Sequence, residues 1–546
     1  MWPLLRKVKN ILKFSAGYNA GKNSGDKQKV PEDASELDGL PLTANLSERV
    51  ALIKKVMGES LDLVIRELVI GDESRAKAAV VYIDGMIDNK TVFDHILNPL
   101  MFESQSIKTG EKLPPARVFQ KLIESRLSAG EMTVQEKNSL LFSHLTEGDT
   151  IILVDGHLPF ISVRVRTWED RNIDEPENES VVRGPRDGFI ETLKVNMSLV
   201  RRRLKTPSLK FETHNIGNTS RTTVVVGYLE NIANPKLVRE VRERLERIDT
   251  DAIVSVGYLE DYIEDNPYSP FPQTKATERP DIVTADLLEG RVTIMADNTP
   301  FSLIIPTTFF EQLQGADDYY QRPWFGAVMV RLLRLIAINI ALVLPSIYVA
   351  VTTFHQELIP TPLLISIAGA REEVPFPAVV EALLMESVFE LLREAGLRLP
   401  APIGTAVSIV GALVLGDAAV RAGIVSPAMV IVVALTAIAS FSIPGFAVAL
   451  SLRQMRFPLI LLAASLGLFG VMFGLLVILI HLASLRSFGV PYMAPLAPLM
   501  PRDLKDIFGR PPQWAMGKRP RYMRTRDPVR QGENLKPRPP DSRDKS

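Results

Sequence analysis

The feature that most constrains this chain is an almost continuously apolar stretch between Trp324 and Leu485. Its charged residues are few and clustered, and four runs reach or approach the roughly 20 apolar residues that a helix needs to cross a bilayer. A helix in a water-soluble core does not need an unbroken run such as FPLILLAASLGLFGVMFGLLVILI. The pattern therefore predicts an all-α, multi-pass transmembrane domain over residues 321–486, with about four crossings at 336–353, 403–420, 427–446 and 457–482.

Basic residues at the ends of the apolar stretch predict its orientation. Arg331 and Arg334 lie one helical turn apart where the first crossing begins, and positive charge favours the cytoplasmic side. The segment after Leu485 has more than twice as many Lys and Arg as Asp and Glu, so we expect it on the same side. If both ends of the apolar stretch lie on the cytoplasmic side, the number of crossings is even, and the four predicted crossings agree with this. Arg453 and Arg456 conflict with this topology, because they would then lie outside.

The region before the apolar stretch is predicted to be a cytoplasmic α/β domain with two lobes, at residues 41–160 and 161–320. The start of the chain lacks the apolar core of a secretory signal. Lys13–Leu40 is rich in Gly, Ser, Asn and Lys, and residues 1–40 are predicted to be a flexible leader. Residues 487–546 are basic and rich in proline, and we expect a disordered cytoplasmic tail that contacts lipid.

Local signals place elements within the two lobes. A helix is predicted to begin at Asn45 or Ser47, whose side-chain oxygens can cap it. Two hairpin turns are predicted, one at Asp155-Gly156 and one at Asp297-Asn298. The alternation of patterns indicates a strand–helix–strand unit, which favours an α/β lobe. Its predicted parts are Thr222–Tyr228, Pro235–Arg247 and Ala252–Tyr258.

The chain lacks the residues that several classes of function require. The chain has no cysteine, and its six histidines are scattered without the spacing of metal ligands. We find no nucleotide-binding signature, no nucleophile elbow and no paired catalytic acids. The run Arg201–Arg203 is explained better by a solvated helix face near a membrane than by nucleic acid. We therefore predict no enzyme activity, no cofactor, no metal and no nucleic-acid partner.

A charged helix within the apolar region supplies the candidate site. Prolines begin a helix over residues 377–396, and its apolar positions recur at helical spacing on one face while carboxylates occupy another. One interpretation is an amphipathic helix on the membrane surface. The other is that its carboxylates line the mouth of a cation pathway. The candidate ion-pathway or gating residues are Glu372, Glu373, Glu381, Glu386, Glu390, Asp417 and Arg421.

The pair Asp417 and Arg421 leaves two interpretations open. The residues lie one turn apart at the end of the second predicted crossing. In hydrocarbon they must pair or face a cavity, because a lone charge there costs about 3 kcal/mol or more. At the interface they form an ordinary surface pair.

Long strings in the chain resemble the A-subunit of the GerA-type germinant receptor, a spore germination protein of endospore-forming bacteria. The resemblance covers about residues 45–486. The strings that carry it are VVRGPRDGFIETLKVNMSLVRRRLKTPSLK, GRVTIMADNTPFSLIIPTTFFE, DDYYQRPWFGAVMVRLLR and REEVPFPAVVEALLMESVFELLREAGLRLPAPIGTAVSIVGALVLGDAAVRAGIVSPAMVIVVALTAIASF.

The resemblance implies a membrane subunit of the spore inner membrane that triggers germination. It implies two partners, a permease-like B-subunit and a lipoprotein C-subunit, and self-association into a ring that forms a nutrient-gated cation channel. A related branch associated with the spore dipicolinate channel shares this architecture and stays open as an alternative. A secondary transporter is a further alternative, although no convincing internal repeat supports it.

Overall fold

The computed structural model describes residues 37–40, 43–58, 60–70, 76–101, 131–166, 175–176, 179–320, 325–398, 416–533 and 535–537. These residues form two compact units. The α/β unit contains the described residues up to Pro267, Thr274–Pro306 and the residues from Trp514 onward. The helical unit contains Tyr268–Gln273 and Thr307–Gln513.

The α/β unit consists of two lobes, each built on a five-stranded sheet. The elements of the first lobe are α1 (Leu46–Met57), β1 (Leu63–Ile70), β2 (Ala76–Ile83), α2 (Asn89–Val92, continued by Phe93–Leu97 and Asn98–Met101), β3 (Met132–Gln135), α3 (Asn138–Thr146), β4 (Thr150–Val154) and β5 (Phe160–Val163). Those of the second lobe are α4 (Leu193–Arg203), β6 (Leu209–Ile216), β7 (Thr222–Leu229), α5 (Pro235–Glu246), α6 (Val256–Ile263), β8 (Lys275–Thr277), α7 (Pro280–Leu287), β9 (Val292–Ala296) and β10 (Ser302–Ile305).

The two lobes repeat one topology. The strand orders are β1-β2-β4-β5-β3 and β6-β7-β9-β10-β8, and every neighbouring pair is antiparallel. The repeat extends to single hydrogen bonds. Leu46 N at the start of α1 donates to Asp155, and Leu193 N at the start of α4 donates to Asp297. The predicted turns at Asp155-Gly156 and Asp297-Asn298 are therefore equivalent positions, each with a residue in the left-handed region.

The helical unit contains the apolar helices. Its elements are α8 (Phe309–Gln312), α9 (Phe325–Thr353), α10 (Thr361–Arg371), α11 (Ala378–Arg398), α12 (Pro427–Phe441), α13 (Phe446–Ser484), β11 (Arg486–Ser487), β12 (Val490–Pro491) and α14 (Lys505–Phe508). Gly467 in α13 has φ 61° and ψ −144°, which is not helical. This residue divides α13 into a first arm (446–466) and a second arm (468–484).

The two arms of α13 fold back on each other as a helical hairpin. A Cβ on Gly474 in the second arm would lie 2.4 Å from Leu459 in the first. Ser451 and His481 both contact the short segment Tyr268–Gln273, although a straight helix would separate them by about 45 Å. The turn packs at the end of α9, since a Cβ on Gly467 would lie 2.9 Å from His355.

A substitution at Gly470 tests the hairpin. A Cβ there would lie 2.0 Å from the carbonyl oxygen of Leu462, so the two arms must move apart to accept any side chain. We expect Gly470→Ala to destabilise the protein by about 1–3 kcal/mol, as overpacking does. The control is Gly326→Ala in α9, where nothing lies within 4 Å. Thermal unfolding in detergent measures both, and equal midpoints would contradict the hairpin.

The helices differ from the predicted crossings in three places. The crossing predicted at 336–353 lies inside the longer α9. That predicted at 427–446 corresponds to α12, which ends at Phe441. The crossing predicted at 457–482 is wrong in form, because it spans the break at Gly467. The crossing predicted at 403–420 lies mostly outside the described residues, which resume at 416.

The lobe boundary and one strand also differ from expectation. The predicted boundary between residues 160 and 161 cuts through β5. The strand predicted over Ala252–Tyr258 is wrong, because Ser255 caps helix α6 by accepting a hydrogen bond from Gly257 N. The leader predicted at 1–40 lies outside the described residues except for 37–40.

The segment that follows α13 is ordered, so the prediction of a disordered tail is wrong up to residue 533. Tyr492 is fully buried, and its ring centroid lies 6.2 Å from that of Phe309. Lys518 and Val529 pair as an isolated antiparallel bridge. Most of the remaining tail, residues 538–546, lies outside the described residues.

Candidate ion-pair site of the helical unit

Helix α11 buries the carboxylates Glu381 and Glu386 and leaves part of its apolar surface open. The side of α11 that carries Val380 and Leu391 is open, and Leu391 is 70% exposed. Glu381 and Glu386 are fully buried, and α11 packs on α9, α12 and α13. These two buried carboxylates differ from an amphipathic helix whose carboxylates face water, which was the simpler prediction for residues 377–396. Ionisable groups within membrane helices have this arrangement, because they face the bundle interior.

Arg456 and Glu386 form the centre of the site. Arg456 projects from the first arm of α13 and Glu386 from α11, and the two side chains are 1% and 0% exposed. Arg456 Nε also donates to the carbonyl oxygen of Ala341 in α9 at 2.8 Å, and Nη2 donates to Ser440 Oγ in α12 at 3.0 Å. One guanidinium therefore connects α9, α11, α12 and α13.

A second pair lies about one turn away, before Arg456 in α13 and after Glu386 in α11. Arg453 Nη1 donates to Glu390 Oε2 at 3.2 Å, and Arg453 Nε donates to the carbonyl oxygen of Ala449. The spacing explains the match, because residues three and four apart share one face of a helix. The Oε1 atoms of Glu386 and Glu390 are buried and make no hydrogen bond within the described part of the chain.

A third carboxylate joins α11 to the start of α12. Glu381 Oε2 accepts a hydrogen bond from Ser426 N at 2.8 Å, and Arg371 Nε lies 3.4 Å from Glu381 Oε1. Glu381 thereby receives one of the backbone N–H groups that the start of a helix leaves open.

The other predicted site residues are not part of this cluster. Asp417 and Arg421 pair at 2.9 Å, with side chains 57% and 78% exposed, and a pair of this kind fits both interpretations. Glu372 and Glu373 are exposed in the connection between α10 and α11. The structure therefore brings three predicted carboxylates together with arginines and leaves the other predicted residues on the surface.

Sequence reasoning missed the arginines that complete the site. Arg453 and Arg456 lie inside α13 and pair with carboxylates, so they are not loop residues of the kind on which the prediction of orientation rests. The available signal was complementary spacing: carboxylates at i and i+4 on one helix, arginines at i and i+3 on another. Among the described residues, no group of three or more His, Asp or Glu side chains is placed to hold a metal.

Comparison with known proteins identifies the family. A family model described as Bacillus/Clostridium GerA spore germination protein matches residues 51–522. The chain belongs to the GerA family. A GerA-family relative, spore germination protein KA of Bacillus subtilis, is 46% identical over 92% of this chain and 91% of its own length. Other relatives also carry the name spore germination protein.

Two further similarities are to a sporulation protein and to a solved domain. Stage V sporulation protein AF of Bacillus subtilis is 30% identical over 88% of this chain and 94% of its own length. Among solved structures, the N-terminal domain of the A subunit of the Bacillus megaterium spore germinant receptor GerK3 is 35% identical. That match covers 52% of this chain and 99% of the solved chain, with a TM-score of 0.39.

Two helices in the described part of this GerA-family chain are long and apolar enough to cross a membrane. They are Gly326–Thr353 and Phe446–Ser484. A shorter apolar helix is Pro427–Phe441.

Proposed function

We propose that this protein is the A-type membrane subunit of a spore nutrient-germinant receptor, which opens a cation pathway when nutrient binds. The observation that carries the proposal is membership of the GerA family over most of the chain. The proposed location is the spore inner membrane, with the α/β unit and the tail cytoplasmic. The proposed partners are a permease-like B-subunit and a lipoprotein C-subunit, with copies of this chain assembled in a ring.

The helical unit exposes apolar side chains and buries a charged pair, which supports its embedding in lipid. Large apolar side chains are more than half exposed on α12 and on both arms of α13, among them Ile438, Phe469 and Met472. The Arg456–Glu386 pair is buried inside. A protein dissolved in water avoids a large exposed apolar surface. In hydrocarbon an apolar exterior is favourable, and ionisable side chains face the bundle interior, where they pair.

The contacts of the hairpin support a single side for the chain before and after the apolar region. If straight, α13 would be about 58 Å long, roughly twice the hydrocarbon thickness. Folded at Gly467, it enters and leaves on one side. Its outer ends then lie at the same end of the helical unit, as the contacts of Ser451 and His481 with residues 268–273 indicate. This supports the proposal that the chain before and after the apolar region faces the cytoplasm.

The seven predicted residues have unequal support as parts of an ion pathway. Glu386 and Glu390 are each neutralised by an arginine, so their attraction for a passing cation is weakened. The exposed carboxylates Glu372 and Glu373 retain that attraction. We propose that these two residues concentrate cations at the pathway entrance and that the buried pairs hold the helices together.

Ion flux from liposomes tests the function and the residues together. Vesicles that contain the purified protein and KCl should release K⁺ in preference to Cl⁻. We expect Glu372→Gln with Glu373→Gln to lower the K⁺ to Cl⁻ permeability ratio, because surface carboxylates enrich cations nearby. The matched variant, Glu386→Gln with Glu390→Gln, should affect stability more than selectivity.

Two results would overturn these proposals separately. Flux no faster than from empty liposomes, also after co-reconstitution with the B- and C-subunits, would contradict a channel. A channel whose selectivity changes only in the Glu386→Gln, Glu390→Gln variant would move the pathway to the buried site.

A separate observation favours a second candidate function. The 30% identity with a stage V sporulation protein extends over most of both chains, so the same architecture serves a protein named for sporulation. This favours, as the alternative, a subunit associated with the dipicolinate channel. Dipicolinate release that precedes K⁺ release and is lost on deletion of this chain would select it.

A further inference from the structure

Two surfaces of the second lobe carry opposite charge, and the first of them is acidic. Residues 249–265, which we call the acidic face, contain six Asp or Glu and no Lys or Arg. They follow α5 and include α6, and Asp251 and Asp261 are exposed. Arg244 in the last turn of α5 donates to the carbonyl oxygen of Ile263, which holds the acidic face on the lobe.

The acidic face also exposes apolar and aromatic side chains. Val254, Tyr258 and Tyr262 are 65%, 51% and 52% exposed. Tyr258 and Tyr262 lie four residues apart in α6, so they share one side of the helix. Tyrosine and arginine are enriched at protein–protein interfaces, and an arginine can stack on an aromatic ring as well as pair with a carboxylate. The acidic face therefore offers both contacts that an arginine-rich partner needs.

The second surface is basic and lies in the segment after α13. Residues 518–530, which we call the basic face, contain six Lys or Arg and one Asp. Its exposed residues include Lys518, Arg521, Arg524 and Arg526. Arg519 is buried instead, and its Nε donates to the carbonyl oxygen of Leu288 at 2.8 Å. A Cβ on Gly290 would lie 2.4 Å from Thr525, so the basic face lies directly on the turn before β9.

The two faces lie at opposite ends of the second lobe. Strand β7 begins at Thr222, whose Oγ1 donates to the carbonyl oxygen of Ile253 in the acidic face at 2.7 Å. It ends at Leu229, and just beyond it the carbonyl oxygen of Ile232 accepts a hydrogen bond from Arg526 N in the basic face at 2.9 Å. Because β7 has 8 residues, the faces are about 25 Å apart. Both faces belong to the α/β unit, so one copy cannot join its own two faces, whereas a second copy can reach either.

The charges and their placement select a second copy of this chain as the partner. Two acidic faces repel each other, as do two basic faces, so like charges disfavour a symmetric contact. An acidic face and a basic face attract each other. A contact between different faces of identical chains is heterologous, and such contacts close into a ring when the rotation between copies allows it.

We propose that the acidic face of one copy binds the basic face of the next copy, so that the chains associate head to tail through their second lobes. The proposal rests on the proposed function, because it names one contact of the proposed ring. In this contact the exposed arginines pair with Asp251 and Asp261 and stack on Tyr258 and Tyr262. The contact weakens toward about 1 M salt, where the Debye length is about 3 Å.

The first experiment reverses charge on one face at a time. Asp251→Lys with Asp261→Lys alters the acidic face, and Lys518→Glu with Arg524→Glu alters the basic face. Sedimentation of the full chain in detergent without anionic lipid measures association. We expect each variant alone to need about tenfold more protein than wild type for half association, because like charges then meet. An equimolar mixture of the two variants should approach wild type, because reversed faces match each other and unaltered faces match each other.

The control and the mixture separate charge from misfolding. Arg66→Glu with Lys90→Glu reverses two exposed charges of the first lobe and should associate as wild type does. Recovery in the mixture requires that both variants are folded. Oligomers that persist unchanged in both variants overturn this contact and leave the ring to another surface. Association that needs anionic lipid assigns the basic face to the membrane and also overturns the contact. A wild-type chain that stays monomeric in detergent and in liposomes overturns the ring of the proposed function.

Cross-linking locates the contact directly. The chain has no cysteine, so each introduced cysteine is unique. A chain with Tyr262→Cys mixed with a chain with Arg521→Cys should give a dimer of one copy of each when a short bismaleimide is added, and neither chain alone should cross-link. A dimer of two Tyr262→Cys chains indicates a symmetric contact and overturns the proposal. In spore membranes, a product that joins Tyr262→Cys to a B- or C-subunit in place of a second copy overturns it as well.

Discussion

Replacing Arg456 by Met is expected to destabilise the helical unit more than any other single change to its charged residues. The substitution leaves Glu386 buried without its cation and removes the donors to Ala341 and Ser440. Breaking one side of a buried pair costs about 3–5 kcal/mol, because a charge then lacks compensation in a medium of low dielectric constant. Thermal unfolding of the purified protein in detergent measures the loss.

A double substitution distinguishes the effect of the unpaired charge from the effect of lost packing. In Arg456→Met with Glu386→Leu the buried site is apolar throughout, and such replacements are often neutral or stabilising. We therefore expect the double variant to recover much of the stability lost in Arg456→Met. The matched control is Arg421→Met, which removes an arginine from the exposed pair with Asp417 and should stay near wild type. Equal losses in Arg456→Met and Arg421→Met would show that the buried pair does not hold the helices.

Local patterns in the sequence predicted the features that depend on neighbouring residues. The turns at Asp155-Gly156 and Asp297-Asn298 follow from residues that tolerate a positive φ, and the cap at Asn45 follows from a side chain that reaches a nearby N–H. The apolar helix α9 follows from composition alone. Each of these features is decided within a few residues of chain.

Features that depend on distant residues were missed. Arg456 meets a carboxylate 70 positions earlier, and nothing near either residue reveals the pairing. The hairpin at Gly467 was missed because one glycine in an apolar run is compatible with a continuous helix. The duplication of the lobes was also missed, because equivalent positions share topology and hydrogen bonds and not residue type: Gly156 corresponds to Asn298.

Helix α6 shows how a local pattern can mislead. Its sequence VGYLEDYI contains valine, isoleucine and two tyrosines, which favour strands. Its buried residues, Val256, Leu259 and Ile263, nevertheless recur at helical spacing, and Ser255 caps the start. The burial of that stripe in the tertiary structure therefore outweighed the preference of these residues for strands.

Replacing Arg201 by Met is expected to be the most damaging change in the α/β unit. Arg201 lies in α4 of the second lobe and is completely buried. Its Nε and Nη2 donate to the two oxygens of Asp62 in the first lobe, at 2.9 and 3.0 Å, and Nη1 donates to the carbonyl oxygen of Leu209 at 3.0 Å. The guanidinium also lies 5.1 Å from the ring centroid of Phe211.

The loss of Arg201 affects more than one bond. Asp62 stays buried without its partner, which again costs about 3–5 kcal/mol. Lys210, whose pKa burial lowers to about 8, cannot replace the bidentate contact. Since Asp62 and Arg201 belong to different lobes, we expect the lobes to separate at lower denaturant concentration. Pulse proteolysis of the full chain in urea measures this as a lower midpoint of cleavage within residues 43–306.

The control for Arg201 is an arginine with an exposed partner. Arg247 pairs with Glu243 on the surface at 3.9 Å, with both side chains about half exposed or more. Arg247→Met should leave the cleavage midpoint near that of wild type, because an exposed pair contributes little. Asp62→Leu with Arg201→Met should recover stability relative to Arg201→Met alone. If it does not, the bonds of Arg201 to Leu209 and Phe211 hold the second lobe together, and the ion pair between the lobes contributes little.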